Sequence, residues 1–433
     1  MNIWKNKSTI LITCPKGVAP YLQAEIAALK FPVLAQFDTA IRTAGSLEDT
    51  LFLNLHLRTA SRVLYLLDTF TADTPGALYG NLSNFSWENL ISAAGKDAYL
   101  CVTSTVDNPQ ITDSRFVNLK AKDAIVDRIR DKCGVRPDSG PEKDKAVVHI
   151  YWKNNKAAVY LDTSGERLAM RGYRKIPLAA PMQETLAAAI IMATGWNGKG
   201  AFVNPMCGSG TLAVEAAMIA TNRAPGLLRG NFGFMHIREF PETLWQEMRK
   251  NARNAAQKTL PVKIIATDID PEAVHAARRN SQTAGVDHLI EFNTCSYEKT
   301  FLPEGGGVIV VNPPYGERMD TGINKNQSRS RIELANGRKI IVRKASGGPD
   351  KRGGAGIRKR LEILYQGLGD FFKKTSGGYH GYIFTGNLEM IKKVGLRTKQ
   401  RIILYNGDIE CRLLEYELYQ GSRKNLERNQ DLP

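Results

Sequence analysis

Asn312-Pro313-Pro314-Tyr315 stands at the end of the β-branched run Val308, Ile309, Val310 and Val311, and its residue types could hold a flat ring bearing an amine. Proline cannot donate to a sheet ladder, so Pro313 ends the strand, and its ring pushes Asn312 toward an extended backbone. A rigid stop after a buried strand is the plain alternative. The chemical reading starts from the exocyclic amine of a nucleobase, a poor nucleophile because its lone pair is delocalised into the ring. The Asn312 side-chain oxygen and the Pro313 carbonyl could accept its two N–H bonds and aim the nitrogen at an electrophile, through positioning and preorganised dipoles. Tyr315 would then offer a face to an extruded base, worth roughly 1–3 kcal/mol in stacking against a similar cost of unstacking.

A second stretch, Asn204-Pro205-Met206-Cys207-Gly208-Ser209-Gly210, lies between an apolar strand and a helical pattern starting near Thr211. Glycine there lets a ligand approach the backbone, and a helix N-terminus favours an anionic group. The pattern Gly208-x-Gly210-x-x-Ala213 also satisfies the dinucleotide fingerprint, although such a turn often wants glycine for steric reasons alone. The acid expected to hold a ribose falls on Asp268, at the carboxyl end of the next strand, because Thr221–Lys258 intervenes. Asp270 reads instead as the cap of the helix that begins at Pro271. A glycine turn, a ribose acid and an amine clamp on successive strands suit methyl transfer from S-adenosylmethionine, which needs neither a metal nor a covalent intermediate.

The elements that would position these residues follow from the chain as a whole. Its 433 residues suggest two or three domains, and its apolar fraction of 43% is ordinary for a soluble protein. No apolar run nears the roughly 18 residues of a membrane span, and the start lacks the apolar region of a signal peptide. A cytoplasmic location is the expectation. The six cysteines are scattered singly, without C-x-x-C or H-E-x-x-H, so no metal is expected. A net charge of +16 points to a polyanionic partner, nucleic acid ahead of an anionic membrane.

From Gln183 onward, short apolar strands alternate with helices, which argues for a mostly parallel, doubly covered α/β sheet of seven strands closed by an antiparallel C-terminal hairpin. Before it, residues 1–67 read as a small ferredoxin-like unit. Residues 68–165 form a second α+β unit with helices over Ser86–Ala94 and ending at Gly134, and 166–182 form a linker. The domain at 183–422 would carry a basic insertion, 320–357, without helical or strand periodicity.

The motifs "NPMCGSGTLAVEAA", "IATDIDPEAV" and "VNPPYGERM" resemble those of THUMP-containing class I RNA methyltransferases. With "LKAKDAIVDRIRDKCGVRP", "LDTSGERLAMRGYR", "APMQETLAAAII" and "NGDIECRLLEY", the resemblance is to the RlmL type, the 23S ribosomal RNA guanine-N2 methyltransferases, and spans nearly the whole chain. It implies a ferredoxin-like part, an RNA-gripping THUMP domain over 68–165 and a Rossmann-like catalytic domain using S-adenosylmethionine. The clamp then maps onto Asn312, Pro313, Pro314 and Tyr315. Cofactor contacts fall on Asn204, Pro205, Cys207, Gly208, Gly210, Asp268 and Ile269, with Thr185 and Ser296 as further candidates. RNA contacts are expected from Lys120, Lys122, Arg171 and Arg174, and from Arg329, Arg331, Arg343 and Lys344 of the insertion. Some members are fused to a second methyltransferase, for which this chain is too short; a monomer or weak dimer is expected.

Three features depart from the family pattern. Asn204 stands where aspartate is usual, Cys295-Ser296 where an acid usually meets the adenine amine, and the loop after Asp320 is longer. Besides the ribosomal RNA enzyme, three readings stay open: a transfer RNA enzyme, since THUMP domains serve both RNAs; an RNA-binding assembly factor with impaired catalysis, which Asn204 and the missing adenine acid suggest; and a more distant nicotinamide dehydrogenase, which the glycine fingerprint allows.

Overall fold

The computed structural model describes residues 3–108, 111, 113–176, 182–316, 332–333, 339–340, 351–374 and 378–418. The N-terminal half contributes β1 (Lys7–Thr13), β2 (Ala35–Phe37), β3 (Ala40–Ser46), β4 (Arg62–Thr71), β5 (Tyr99–Asp107), β6 (Asp138–Ser139), β7 (Ala146–Lys153) and β8 (Lys156–Asp162). Its helices are α1 (Ala19–Ala28), α2 (Leu47–His56), α3 (Pro75–Asn84) and α4 (Ser114–Cys133). The strands form one sheet in the order β2-β3-β1-β4-β8-β7-β5-β6. Alternation decides its faces: Ile10 and Ile12 of β1 are fully buried, whereas Leu11 between them is partly exposed. Helix α2 starts in a capping box, with the Asp49 backbone N–H donating to Ser46 Oγ at 3.1 Å and Ser46 N–H to Asp49 Oδ2 at 2.7 Å. Gly134 ends α4 with φ 73°, as expected of a left-handed cap.

One expected boundary falls within a strand, and one expected helix is shortened. The boundary after Leu67 falls inside β4, which pairs with β1 on one side and β8 on the other, so the ferredoxin-like part and the unit after it share a single sheet. The helix over Ser86–Ala94 is only a 3-10 turn, Trp87–Asn89. The buried Trp87 indole donates to the Leu82 carbonyl at 2.7 Å, which holds the segment against the end of α3.

The C-terminal half builds β9 (Ala201–Pro205), β10 (Ile264–Asp268), β11 (Ile290–Thr294), β12 (Gly307–Val311), a two-residue pair β13 (Ile332–Glu333) and β14 (Lys339–Ile340), then β15 (Tyr379–Thr385), β16 (Gln400–Asn406) and β17 (Ile409–Glu417). Its helices are α5 (Glu184–Ala193), α6 (Thr211–Ala220), α7 (Glu242–Asn254), α8 (Pro271–Ala284) and α9 (Lys351–Lys374). Seven strands order as β11-β10-β9-β12-β15-β17-β16, with β15 and β16 antiparallel to β17 and the rest parallel. This is the expected α/β architecture. The basic insertion differs from its expected form: β13 and β14 pair antiparallel within it, and α9 begins at Lys351, before the expected end at 357.

The excursion between α6 and β10 folds back as an arm onto the N-terminal half. Phe232 and Phe234 stack at 5.0 Å and both meet Trp245 edge-on, anchoring the arm on α7. From it, Phe234 N–H donates to the Thr163 carbonyl at 3.1 Å, the Arg238 carbonyl accepts from the Trp4 indole at 3.0 Å, and His236 Nδ1 lies 2.7 Å from Asp97.

Candidate functional site

Strand order reverses between β9 and β12, and ligands of open α/β sheets bind in the crevice beyond the carboxyl ends at such a point. Pairing of β9 with β12 stops at Val203 and Ile309, while β9 with β10 runs on to Pro205 and Thr267, so β9 and β12 separate just before Asn204. The Asn204 amide sits in that opening and donates to the Val310 carbonyl at 2.8 Å. A carboxylate there could not donate, which gives the departure from aspartate a physical reason. Asn204 Oδ1 is buried without a hydrogen-bond partner among the described residues, as is Thr185 Oγ1 at the start of α5. Buried acceptors normally find donors, and a ligand ammonium is one that would suit Asn204.

The glycine turn takes three left-handed residues in alternation: Met206 (φ 61°), Gly208 (φ 54°) and Gly210 (φ 80°). A Cβ on Gly208 would meet nothing within 4 Å, leaving open space above the turn. One on Gly210 would lie 2.8 Å from the Ala277 Cβ, so this glycine is demanded by α8 as well as by its backbone. Gly210→Ala is expected to destabilise the domain by about 2–4 kcal/mol, from the left-handed cost and overpacking together, read as a lowered urea midpoint. Asp268 Oδ2 accepts from the Gly208 N–H at 2.9 Å and Oδ1 from the Asp270 N–H at 3.1 Å. A carboxylate has about four lone-pair sites, so capacity remains for two hydroxyls. Asp270 caps α8 through the Glu272 N–H at 3.0 Å, as expected. Ile269 beside it is 74% exposed, an apolar surface suited to a flat base. Ser296 follows Cys295, whose N–H donates to the Asp268 carbonyl at 2.9 Å, so it lies at the same edge. Cys207 is buried, and burial with Asp268 nearby pushes its thiol well above the usual range, which marks it as packing rather than a nucleophile.

Across the crevice, β12 delivers Asn312, with Pro313 buried behind it. Tyr315 differs from its expected role. It is 9% exposed, with Gly386 packed at its ring edge beside Cys411, and its hydroxyl donates to Asn312 Oδ1 at 2.8 Å. Little of the ring is exposed for stacking, and the hydroxyl holds the Asn312 amide. The turn is tied down by Asn387 Nδ2, which donates to the Tyr315 carbonyl at 2.9 Å.

Two expected RNA contacts are corrected. Arg171 is 1% exposed: its guanidinium donates to the Leu168 carbonyl at 2.8 Å, to the Arg58 carbonyl, and lies 3.5 Å from Glu215. Tyr173 donates to the same carboxylate at 3.2 Å, and Arg58 reaches the Arg223 carbonyl at 3.0 Å. Ferredoxin-like part, linker and α6 meet in this buried cluster. Arg174 is likewise occupied, by Glu184 at 3.0 Å, the Met182 carbonyl at 2.7 Å and Thr211 Oγ1 at 3.2 Å. Burial raises the Glu184 carboxyl, and the Arg174 charge opposes this. Lys120 sits over the Tyr79 ring at 5.7 Å, while Lys122 pairs with Asp123 beside a cavity shared with Arg115 and Lys143. Arg329, Arg331, Arg343 and Lys344 lie outside the described residues.

Sequence reasoning missed Asn280. It accepts from the Lys175 N–H at 2.9 Å and donates to the Ser209 carbonyl at 3.0 Å, strapping the linker onto the glycine turn. The available signal was a lone amide in line with the small buried residues Ala273, Ala277 and Ala284 of α8.

Residues 9–64 match the RlmL ferredoxin-like domain and residues 171–328 the RMKL-like methyltransferase domain. The chain is 36% identical over 418 residues to "Ribosomal RNA large subunit methyltransferase K/L" of Syntrophotalea carbinolica, covering 94% of this chain and 53% of that protein. It thus spans about half the length of the curated relatives it matches. Among solved structures, one from Clostridium difficile 630 described as "a possible methylase" superposes with a TM-score of 0.78 at 27% identity, over 96% of this chain and all of that one. Another, described as a methyltransferase and solved with S-adenosylhomocysteine (SAH), gives 0.76 at 26% identity, over 97% and 99%. The chain therefore carries an RMKL-like methyltransferase domain preceded by an RlmL-type ferredoxin-like domain.

Proposed function

We propose that this chain binds S-adenosylmethionine at the Asn204–Gly210 turn and methylates the exocyclic N2 amine of a guanine in large-subunit ribosomal RNA. The observation that carries the reading is the placement of Asn312 at the end of β12, across the crevice from the glycine turn and Asp268. Asp268 has lone pairs left for the ribose hydroxyls, Ile269 offers a face to adenine, and the buried Asn204 oxygen suits the ammonium. When bound, this cofactor supplies an electrophilic methyl on sulfur. The chain's own role is to hold the acceptor. Asn312 Oδ1 uses one lone pair on Tyr315 and keeps one for a substrate N–H, and the Pro313 carbonyl can take the other. The acceptor nitrogen would take the methyl and pass one proton to solvent water, while Asn312 Oδ1 and the Pro313 carbonyl hold the amine.

The choice of ribosomal RNA leans on what the curated relatives are named for, and on the +16 charge. Residues 68–165 would serve as the THUMP-type RNA grip. Nucleoside mass spectrometry of RNA from cells lacking the protein tests the whole reading. Loss of N2-methylguanosine from 23S RNA is expected. Its loss from transfer RNA instead would move the substrate. No change in either, together with absent S-adenosylmethionine binding by calorimetry, would leave an RNA-binding assembly factor.

A further inference from the structure

Between the linker and the arm runs an open groove of about 720 Å³. One wall is Glu166–Lys175, leaving the end of β8; the other is Leu228–Asn231 of the arm. Its lining holds five cations, Arg167, Arg171, Arg174, Lys175 and Arg229, against the two carboxylates Glu166 and Glu184. Glu184 neutralises Arg174, and Arg171 faces Glu215 beneath the surface. Arg229 is different. It is 7% exposed, stacks on Phe232 at 4.7 Å, and donates to the carbonyls of Ser164, Glu166, Arg167 and Asn231 rather than to a carboxylate. Its Nε has no partner among the described residues. The buried Arg229 guanidinium bonds carbonyls and is only partly offset by the nearby Asp162 and Glu166 carboxylates, and Arg167 and Lys175 are exposed in the same lining.

The ends of the groove give it a direction. At one end Asn231 Nδ2 donates to the Asp144 carbonyl of the N-terminal half at 2.7 Å. At the other, Arg174 touches Thr211 Oγ1 at the head of α6 and Lys175 N–H is held by Asn280, which also grips the Ser209 carbonyl. Gly230 has nothing within 4 Å of where a Cβ would stand, so a ligand backbone can come close, and Met170, 61% exposed, supplies an apolar patch.

We propose that this groove binds the sugar-phosphate backbone of a single RNA strand and leads it from the N-terminal half to the crevice. The inference rests on the RNA reading above. Exposed Arg167 and Lys175 contact phosphates, the buried Arg229 charge adds to the field without touching the strand, and Met170 packs against a ribose or base. Phosphate contacts set position and register rather than sequence, so the groove would fix which nucleotide can be drawn into the clamp.

The test is the double variant Arg167→Ala/Lys175→Ala, titrated with a fluorescein-labelled oligouridylate and with 23S ribosomal RNA at several salt concentrations. Binding to both is expected to weaken roughly tenfold at low salt. The slope of log K against log salt should fall by about 1.4, because two phosphates of a single strand are no longer neutralised. S-adenosylmethionine affinity should not change, which reports an intact fold. Wild-type affinity and slope in the variant would overturn the groove while leaving the RNA reading in place. Wild-type protein that binds neither RNA would overturn both.

Discussion

Asn312→Ala should fold, bind S-adenosylmethionine as the parent does, and lose methyl transfer by about 10²–10³-fold, the usual loss when one preorganised dipole is removed from a reacting centre. The reason lies in the geometry of the turn. The backbone of Asn312 is held by two successive prolines, so Ala inherits the same course, and what is removed is the side-chain amide whose oxygen would accept the substrate amine and accepts from the Tyr315 hydroxyl. Single-turnover rates with saturating RNA read this directly; a rate within about threefold of the parent would remove the clamp from the mechanism. Tyr315→Phe sharpens the test. A stacking role survives that change, because the ring remains. The role seen here does not, because the hydroxyl that donates to Asn312 Oδ1 at 2.8 Å is gone and the amide is free to rotate. We expect a loss of roughly tenfold in kcat with KM little altered, consistent with one hydrogen bond near 1.4 kcal/mol.

The second large effect is on stability. Glu215→Ala should cost about 3–5 kcal/mol, because Arg171 is left as a buried charge facing an empty site. Glu215 is fully buried on α6, and its Oε1 is shared by Arg171 Nε at 3.5 Å and the Tyr173 hydroxyl at 3.2 Å. Arg171 in turn binds the Arg58 carbonyl, so the loss would be felt where the ferredoxin-like part, the linker and the catalytic sheet join. Urea unfolding followed by tryptophan fluorescence checks it. A midpoint shift below the equivalent of about 1 kcal/mol would mean the cluster relaxes and takes in water. Glu215→Gln keeps an acceptor for Tyr173 and should lie between the two.

Much of the candidate site is legible in the sequence alone. A β-branched strand ending in Asn-Pro-Pro-Tyr and a glycine turn opening an apolar helix are local patterns, set by backbone sterics within a few residues. Helix Pro271–Ala284 falls where its proline, cap and Gly285 place it. Arg171 shows the limit. Counted in a basic linker, it reads as a phosphate contact. In the fold it is spent on carbonyls and on a buried carboxylate 44 residues away in sequence. Composition records the charge of a residue and not the partner that consumes it. Tyr315 marks a related limit: an aromatic beside such a turn can face the crevice or the core, and its low exposure follows from packing between residues distant in sequence.

What the sequence determined by itself, then, is the local chemistry: where strands stop, where glycine is required, which acid ends β10 and which one caps α8. Those depend on sterics and hydrogen bonds between near neighbours. The tertiary structure decided the rest. It joined the first two units into one sheet through β4, separated β9 from β12 so that Asn204 serves Val310, and turned the arm into the wall of a basic groove. Each of these depends on contacts between residues distant in sequence, whose formation is set by which buried groups find partners when the whole core closes.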